Sequence, residues 1–358
     1  MTTEGVTFNT LTVAGVEPLT DDAVAITFAV PEEMSDAYRF IPGQHIAIRA
    51  DIDGQDVRRT YSICTDAASH QLRIGIKRVE GGLFSGYATT RLRPGDRLDV
   101  APPHGDFTIT PAVDNATHYG AIAAGSGITP VLSMISSVLA AEPKSRFTLI
   151  FGNRSSSSIM FLEELEGLKD RYPDRLHLIH VLSREAQIIP ILSGRLDEGR
   201  LNDLLDGVVD FASVDRWYLC GPYEMVQAAR TVLAARNVGA DRINDELFFA
   251  EPAPPPPPVA AADTTGMTKV TFTLDGRTAT IPVDPDGDPI LSYALEERRD
   301  TPFSCRGGMC TTCKAQVIDG EATMDLNFAL ADEDLAKGYI LTCQAHPTSA
   351  ELTITYDV

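Results

Sequence analysis

The stretch Cys305-Arg-Gly-Gly-Met-Cys310-Thr-Thr-Cys313 places three cysteines on one glycine-rich loop, and Cys343 follows farther along the chain. This C-x4-C-x2-C…C spacing is typical of a [2Fe–2S] centre, in which four thiolates hold two irons. The two glycines of the loop let the backbone approach the inorganic sulfides and direct N–H groups at them. The spacing therefore predicts a one-electron redox centre near the C-terminus.

A structural zinc site is the alternative, because four thiolates also form a closed tetrahedral Zn²⁺ centre. Zinc sites usually pair two short C-x2-C knuckles, whereas Cys343 has no second cysteine near it in sequence. Cys64 and Cys220 stand alone, which argues against a disulfide framework. The cysteine pattern favours iron and sulfide over zinc.

The residues around the loop indicate a small α+β module. Lys269–Val283 reads as a hairpin that turns at Asp275-Gly276, a helix is expected near Ile290–Arg299, and Glu351–Tyr356 reads as a final strand. Residues 267–358 resemble a plant-type ferredoxin domain throughout, which implies an α+β (β-grasp) fold. The resemblance also implies the metal ligands, which are Cys305, Cys310, Cys313 and Cys343.

A proline-rich stretch, residues 251–266, separates this module from the rest of the chain and predicts a semi-rigid, polyproline-like linker. Residues 1–112 contain short alternating segments bounded by turn signals, which predict an antiparallel β-barrel. Residues 113–250 alternate apolar runs with helical stretches such as Ile159–Arg171, which predict an α/β domain with a parallel sheet. We therefore expect a multidomain protein with domains 1–112, 113–250 and 267–358.

Composition limits the partners and the compartment of this 358-residue chain. Its formal net charge of −20 disfavours nucleic acid and anionic lipid. No window holds the roughly 20 uninterrupted apolar residues of a membrane span, and the N-terminus lacks a basic segment followed by an apolar stretch. We expect a cytoplasmic protein that binds neither nucleic acid nor a membrane.

Two motifs in the predicted barrel suit a bound pyrophosphate. Arg59-Thr-Tyr61-Ser62 ends one predicted strand, and Gly81-Gly82-Leu-Phe-Ser85 follows another. An arginine holds a pyrophosphate by bidentate contacts, and a glycine-serine turn that opens a helix supplies N–H groups to the same anion. Each motif is weak when taken alone, because a tyrosine on a strand is usually a packing residue.

Together and in this order, the motifs resemble the ferredoxin–NADP reductase family, whose members hold FAD between a barrel and a nucleotide domain. The resemblance implies that Arg59, Gly82 and Ser85 contact the pyrophosphate. It implies that Tyr61 stacks on the isoalloxazine and that Ser62 hydrogen-bonds near flavin N5. Lys77 is expected to help through its backbone.

The predicted α/β domain contains further motifs of the same family. Gly125-Ser-Gly127-Ile-Thr129-Pro lies between a buried strand and a helix, where glycines allow a nucleotide pyrophosphate to approach the helix N-terminus. Cys220-Gly221-Pro resembles the motif that places a cysteine beside nicotinamide, although a buried small residue is the alternative for Cys220. Glu246 and Phe248 occupy the place of residues that cover the flavin.

Three residues after predicted strands bear on the choice of nucleotide. Arg154, Ser183 and Arg184 suit a 2′-phosphate and favour NADPH. Glu185 adjoins Arg184 and suits a free 2′-hydroxyl, so NADH stays an alternative.

The order of the parts resembles the reductases that serve multicomponent oxygenases. This resemblance implies an enzyme that passes electrons from NADPH through FAD and the [2Fe–2S] cluster to a di-iron oxygenase, with Ser62, Cys220 and Glu246 as catalytic residues. A reductase of a steroid or aromatic-ring hydroxylase is the second interpretation, and a non-catalytic redox sensor is the third.

Overall fold

The structure of the chain, a computed structural model, describes residues 8–248, 266–298, 301–303, 306–309 and 311–357. Cys305, Cys310 and residues 251–265 of the proline-rich stretch lie outside the described residues. The chain forms two compact units. The first contains an antiparallel and a parallel sheet, and the second contains a mixed sheet.

The antiparallel sheet of the first unit is a barrel. Its strands are β1 (Asn9–Thr20), β2 (Ala23–Ala29), β3 (His45–Ile52), β4 (Gln55–Ser62), β5 (Arg73–Lys77) and β6 (Arg97–Val100). Their order is β4-β3-β6-β1-β2-β5, and an antiparallel bridge between Ile63 and Ile74 joins the two edges. Helix α1 (Leu83–Thr90) buries Phe84 and Ala88 in the barrel core. The expected antiparallel barrel is confirmed.

The second sheet of this unit is parallel, as expected, and has the order β11-β10-β7-β8-β9. Its strands are β7 (His118–Ala124), β8 (Arg146–Asn153), β9 (Leu176–Leu182), β10 (Arg216–Gly221) and β11 (Ile243–Leu247). Its helices are α2 (Ile128–Ala141), α3 (Leu162–Arg171), α4 (Glu198–Gly207) and α5 (Tyr223–Ala235). Helix α3 begins three positions later than the pattern predicts, because Phe161 adopts a left-handed φ of 58° that no helix continues through.

One apolar core joins the barrel and the parallel sheet within the first unit. Ala23 and Cys64 of the barrel share a buried cluster with Ile128 and Phe161 of the α/β part. Gly75 makes room for this packing, since a Cβ there would lie 2.8 Å from the Phe161 ring. This shared core therefore fixes the position of the barrel relative to the parallel sheet within the first unit.

The second unit has the expected α+β architecture. Its sheet has the order β13-β12-β18-β14-β16, with β12 and β18 parallel and the other neighbours antiparallel. The strands of this sheet are β12 (Thr268–Leu274), β13 (Arg277–Val283), β14 (Lys314–Asp319), β16 (Tyr339–Leu341) and β18 (Glu351–Thr355). The strands β15 (Ala322–Met324) and β17 (Ala345–Pro347) form a separate two-stranded antiparallel sheet. The helices are α6 (Ile290–Glu297) and α7 (Asp332–Ala336), and α6 packs on the sheet through Ile290 and Ala294.

Within the ranges that the structure describes, no helix combines the length and the apolar character needed to cross a membrane.

Candidate functional site

The three predicted catalytic residues meet at the carboxyl edge of the parallel sheet. Ser62 ends β4 of the barrel, and its hydroxyl oxygen lies 3.4 Å from Oε2 of Glu246 in β11. Cys220 is the strand partner of Glu246 across the parallel β10–β11 pair. The structure therefore brings the three residues together, although they are far apart in sequence, and their catalytic roles stay predictions.

The Cys220 thiol is fully buried and stays protonated. Burial is the main cause that raises its pKa well above the ordinary value, and the neighbouring Glu246 and Asp245 carboxylates add to the rise. A neutral thiol offers a small apolar contact rather than a nucleophile or a metal ligand. This character suits a residue that packs beside a nicotinamide ring.

The glycine turn before α2 lies directly against Cys220. A Cβ on Gly127 would lie 2.2 Å from the Cys220 carbonyl oxygen, so only glycine fits there. Gly125 has a φ of 55°, and the Thr129 hydroxyl donates to the Ser126 carbonyl at 3.0 Å, which fixes the turn. Helix α2 has no side-chain cap, so its N-terminal amides suit the pyrophosphate of a nucleotide.

The last of the described residues at this edge is Phe248. Its N–H donates to the Gly221 carbonyl oxygen at 2.9 Å, and its half-buried ring packs against the core of the first unit. The hydrogen bond ties the end of β11 to the Cys220-Gly221 motif. Phe248 therefore lies at the edge where the resemblance expects a residue that covers the flavin.

Two histidines that the sequence reasoning missed also belong to this cluster. His45 Nδ1 lies 3.4 Å from Oε1 of Glu246, and the His45 and His104 rings meet edge to face with their centroids 4.3 Å apart. Burial, followed by the proximity of His45, lowers the pKa of His104 to about 4. His104 is therefore a neutral neighbour of His45 at physiological pH.

The predicted FAD-binding residues lie on the barrel side. The Tyr61 ring is 5.6 Å from that of Phe84, Lys77 Nζ is 3.6 Å from the Asp22 carboxylate, and Arg59 Nη1 donates to the Arg58 carbonyl oxygen at 2.7 Å. These contacts leave the binding roles of Arg59, Tyr61 and Lys77 as predictions.

The glycine-serine turn has the geometry of an anion site. The Ser85 hydroxyl oxygen accepts a bond from the Val79 N–H at 3.1 Å and so closes the turn around Gly82. A Cβ on Gly82 would lie 2.5 Å from that oxygen. Gly82 caps α1 without a side-chain bond, so the first amides of α1 suit one anionic group. The turn therefore fits the pyrophosphate of FAD.

The residues that bear on the 2′ position follow the neighbouring strands β8 and β9. Arg184 N–H donates to the Arg154 carbonyl at 2.7 Å, and Ser183 N–H donates to the Asn153 carbonyl at 2.9 Å. Both arginine side chains are exposed. The Glu185 carboxylate accepts bonds from the Ser156 N–H at 2.8 Å and hydroxyl at 2.9 Å, which lower its pKa.

The side chain of Asn153 supplies an independent indication of a nucleotide. It is buried at the end of β8, and neither its amide nitrogen nor its amide oxygen has a hydrogen-bond partner among the described residues. Buried amide groups without partners are costly in a folded protein, so this side chain is suited to a polar ligand.

Two of the predicted cluster ligands, Cys313 and Cys343, are buried and not in disulfides. The Thr342 hydroxyl donates to the Cys313 carbonyl at 3.1 Å. Gln344 Nε2 donates to the carbonyl oxygens of Arg306 and Cys343 at 2.8 Å, and it lies 3.8 Å from Cys343 Sγ. Tyr356 donates to the Thr342 hydroxyl at 3.0 Å. Buried cysteines with an amide nitrogen near the sulfur fit an iron–sulfur cluster.

The loop around these cysteines has an unusual backbone. Arg306, Gly308 and Thr311 have φ values of 54°, 75° and 51°. A Cβ on Gly308 would lie 2.9 Å from the Leu326 carbonyl oxygen. Repeated left-handed residues coil the chain tightly, which suits a loop that wraps a compact group. Cys305 and Cys310, the other predicted ligands, lie outside the described residues.

Family models match most of the chain. The oxidoreductase FAD-binding domain matches residues 10–109, the oxidoreductase NAD-binding domain matches residues 121–231, and the 2Fe-2S iron-sulfur cluster binding domain matches residues 272–348. The protein is therefore an oxidoreductase that binds FAD, a nicotinamide nucleotide and a [2Fe–2S] cluster.

Curated relatives extend over nearly the full length. The chain is 42% identical over 351 residues to a subunit of 1,2-phenylacetyl-CoA epoxidase of Escherichia coli K12, covering 98% of each chain. It is 33% identical to the ferredoxin reductase component of 3-ketosteroid-9-alpha-monooxygenase of Mycobacterium tuberculosis, covering 97% of this chain and 95% of that one. Both relatives are components of oxygenase systems by name.

Among solved structures, the chain resembles phthalate dioxygenase reductase with a TM-score of 0.59. The identity is 23%, and the match covers 97% of this chain and 98% of the other. This likeness confirms a fold that combines an antiparallel FAD-binding domain, a parallel nucleotide-binding sheet and a ferredoxin-like domain.

Proposed function

Because this chain belongs to the family of reductase components that serve multicomponent oxygenases, we propose that it delivers electrons from NADPH to a di-iron oxygenase. FAD, when bound, accepts a hydride and releases electrons singly, and the [2Fe–2S] cluster carries them one at a time. The meeting of Ser62, Glu246 and Cys220 at one sheet edge supports the hydride-accepting part of this proposal.

The chain's own residues position the reaction. Cys220 offers the nicotinamide an uncharged contact, and Gly127 lets the nucleotide-binding turn approach it. Ser62 hydrogen-bonds near the flavin, and Glu246 accepts a hydrogen bond from the Ser62 hydroxyl. Phe248 covers the flavin, and the hydrogen bond from its N–H to the Gly221 carbonyl oxygen holds it next to the Cys220-Gly221 motif.

We propose that FAD is held by the residues that the sequence indicated on the barrel side. Arg59 and the turn of Gly82 and Ser85 bind its pyrophosphate, Tyr61 stacks on its ring, and Lys77 contributes its backbone. Gly125 and Thr129 shape the corresponding turn for the nicotinamide nucleotide. Cys305, Cys310, Cys313 and Cys343 bind the cluster irons.

NADPH is favoured over NADH by charge. Arg154 and Arg184 lie side by side with Ser183, and Glu185 is bound to the Ser156 turn rather than left as an unpaired carboxylate. Replacing Arg184 by alanine is expected to raise KM for NADPH about tenfold while KM for NADH stays within about twofold. An equal effect on both nucleotides contradicts this assignment.

The di-iron partner proposed here is phenylacetyl-CoA epoxidase, on the strength of the 42% identity to one subunit of that enzyme in Escherichia coli. The CoA substrate binds the oxygenase and not this chain, which makes the protein a part of phenylacetate catabolism. The 33% identity to a ketosteroid monooxygenase reductase supports the second candidate, a steroid oxygenase.

We also propose the domain bounds 1–112, 113–250 and 267–358 with a linker at 251–266, and a cytoplasmic location. Each of the four sheets formed by the described residues lies inside one of these ranges. None of the four cysteines that the structure describes is in a disulfide, which suits a reducing compartment.

One reconstitution tests the proposal. Purified holoprotein with measured flavin, iron, sulfide and zinc is mixed with NADPH or NADH, and absorption changes of flavin and cluster are followed. The oxygenase subunits of phenylacetyl-CoA epoxidase or of the ketosteroid monooxygenase are then supplied with their substrates. Turnover with the first set alone supports the proposal, whereas turnover with the second set alone favours the steroid partner. A protein that neither nucleotide reduces contradicts the reductase function.

A further inference from the structure

His45 is the buried titratable residue next to Glu246 that the proposed function leaves without a task. It begins β3, its side chain is 11% exposed, and its Nδ1 lies 3.4 Å from Oε1 of Glu246, whose side chain is 20% exposed. The other oxygen of the same carboxylate, Oε2, lies 3.4 Å from the Ser62 hydroxyl. Glu246 therefore stands between a hydroxyl on one side and an imidazole on the other.

The position of His45 is built into the barrel. His45 and His104 exchange backbone hydrogen bonds of 2.9 Å in both directions. The His104 ring lies against the His45 ring. Gly105 leaves space for the His45 ring, since a Cβ on Gly105 would lie 2.8 Å from it. The His104 Nδ1–H is directed at the Pro102 carbonyl oxygen, 3.2 Å away. The imidazole of His45 is thus fixed from one side by backbone and ring contacts.

Further titratable groups of the described residues lie near the pair. Asp106 stands behind His104, and Cys220 and Asp245 lie beside Glu246 from β10 and β11. His104 and the Cys220 thiol are both neutral at physiological pH, since burial disfavours their charged forms. Among these neighbours, His45 is the imidazole that contacts Glu246 directly.

Resting on the proposed function, we propose that His45 is a positioning residue for Glu246, and that it exchanges a proton with that carboxyl group. It holds Oε1 so that Oε2 faces Ser62. In the exchange, the Oε1–H bond of the protonated carboxyl group breaks and an Nδ1–H bond forms on His45, which leaves a carboxylate and an imidazolium. The reverse transfer restores both groups, and nothing is oxidised or reduced.

The first experiment detects the contact without any turnover. Imidazole ¹⁵N resonances of the oxidised, full-length holoprotein are titrated with pH, and the His45 signals among the seven histidines are identified with His45→Asn. Replacing Glu246 by glutamine removes the adjacent carboxylate, so the His45 midpoint is expected to fall by about one pH unit. His70, which is exposed, is expected not to move. An unchanged His45 midpoint overturns the proposal.

The second experiment is a double-mutant cycle on flavin reduction by NADPH in rapid-mixing experiments. His45→Ala is expected to slow the step about tenfold, and Glu246→Gln more strongly. The double variant is expected to be no slower than Glu246→Gln alone, because both residues act through the same carboxylate. If the rate losses of the two single variants multiply in the double variant, the proposal is overturned.

His45→Asn separates positioning from proton exchange, because an asparagine amide places an N–H donor near the former Nδ1 but takes up no proton. It is expected to recover part of the rate lost in His45→Ala and to lose the wild-type dependence on pH. Recovery of both the rate and the pH dependence contradicts the proton exchange. Should His45→Ala fail to fold, the asparagine variant and the NMR titration still decide.

The control variant is His70→Asn. His70 has a φ of 53°, which asparagine tolerates, and lies on the surface. Its rate is expected to stay within about twofold of wild type. If neither nucleotide reduces the wild-type flavin, the proposed function is wrong and this proposal falls with it. If the wild type is reduced and the cycle is additive, only the role of His45 is overturned.

Discussion

The carboxyl edge of the parallel sheet and the loop of the second unit each contain buried cysteines, but their surroundings give the thiol opposite chemistry. Cys220 stays protonated chiefly because it is buried, and the Glu246 and Asp245 carboxylates add to the rise of its pKa. Cys343 is also buried, and the nearest amide nitrogen, Nε2 of Gln344, lies 3.8 Å from its sulfur. Burial is common to both cysteines, so the groups around each thiol distinguish them. Carboxylates next to the thiol suit an uncharged packing residue, and amide donors near the sulfur suit the predicted cluster ligand.

The strongest test of this difference removes a ligand. Cys343→Ser is expected to weaken iron binding by at least about 100-fold, because a hydroxyl is a much poorer iron ligand than a thiolate. Iron and sulfide content and the visible absorption of the cluster measure the loss, while flavin reduction by NADPH is expected to persist.

Cys64→Ser is the matched control for that variant. Burial raises the pKa of Cys64 to about 12, and its thiol lies 3.3 Å from the Arg73 carbonyl oxygen, a bond that serine can replace. It is expected to retain full iron content. Equal iron loss in both variants contradicts the distinction between packing and ligand cysteines.

The same substitution at Cys220 is expected to act on a different reaction. Cys220→Ser exchanges a neutral thiol for a more polar hydroxyl at the sheet edge, so hydride transfer from NADPH is expected to slow by roughly 30-fold through misplacement of the ring. Rapid-mixing absorption of the flavin measures the rate, and iron content is expected to stay unchanged. Loss of iron in this variant contradicts the assignment of Cys220 to the nucleotide site.

The buried imidazole of His104 makes the sheet edge sensitive to acid. Its pKa is about 4 in the folded chain against an ordinary value of 6.5, so only the unfolded chain takes up a proton between these values. The contribution of His104 to the free energy of unfolding is fully present above about pH 6.5. It is lost as the pH falls toward 4, and the loss is about 2 kcal/mol after allowance for partial exposure.

His104→Asn is expected to remove much of this acid-dependent loss, because the asparagine amide still reaches the Pro102 carbonyl but does not titrate. The melting temperature of the first unit, followed through the signal of its bound flavin between pH 7 and pH 4, provides the measurement. A variant whose melting temperature falls with acid as steeply as that of the wild type rules out His104 as the cause.

The smallest expected effect concerns the donor next to Cys343. Gln344→Met removes the amide nitrogen that lies 3.8 Å from Cys343 Sγ and is expected to lower the cluster reduction potential by at most about 40 mV, the equivalent of about 1 kcal/mol for one full hydrogen bond. Gln316→Met is the control, because Gln316 bonds only the Lys337 carbonyl among the described residues. Redox titration of both variants decides, and equal shifts contradict a specific role for Gln344.

The sequence predicted the fold well because its signals are local. Strand alternation, turn pairs and glycine motifs act over a few residues. They predicted the succession of the barrel, the parallel sheet and the α+β module along the chain. Helix α3 was placed three residues early, since no pattern announces a left-handed phenylalanine. The cluster spacing and the Cys220-Gly221 motif are likewise local.

The site was predicted only in part, because its contacts depend on long-range pairing. Ser62 and Glu246 were indicated by separate motifs, but their contact arises from the packing of the barrel on the parallel sheet. No role was predicted for His45 or His104, because only a bridge in the closed barrel brings the two residues together. The buried Asn153 amide was also invisible before the strand ends were known.

The parallel pairing of β12 with β18 imposes an order on biosynthesis. The strand that opens the second unit is completed only by a strand translated after Cys343, so the ribosome releases all four predicted ligands before the central pair of the sheet exists. The cysteines therefore pass through a stage in which they are synthesised but not yet enclosed. Iron and sulfide, and also oxidants, can therefore reach the nascent thiols before the sheet closes around them.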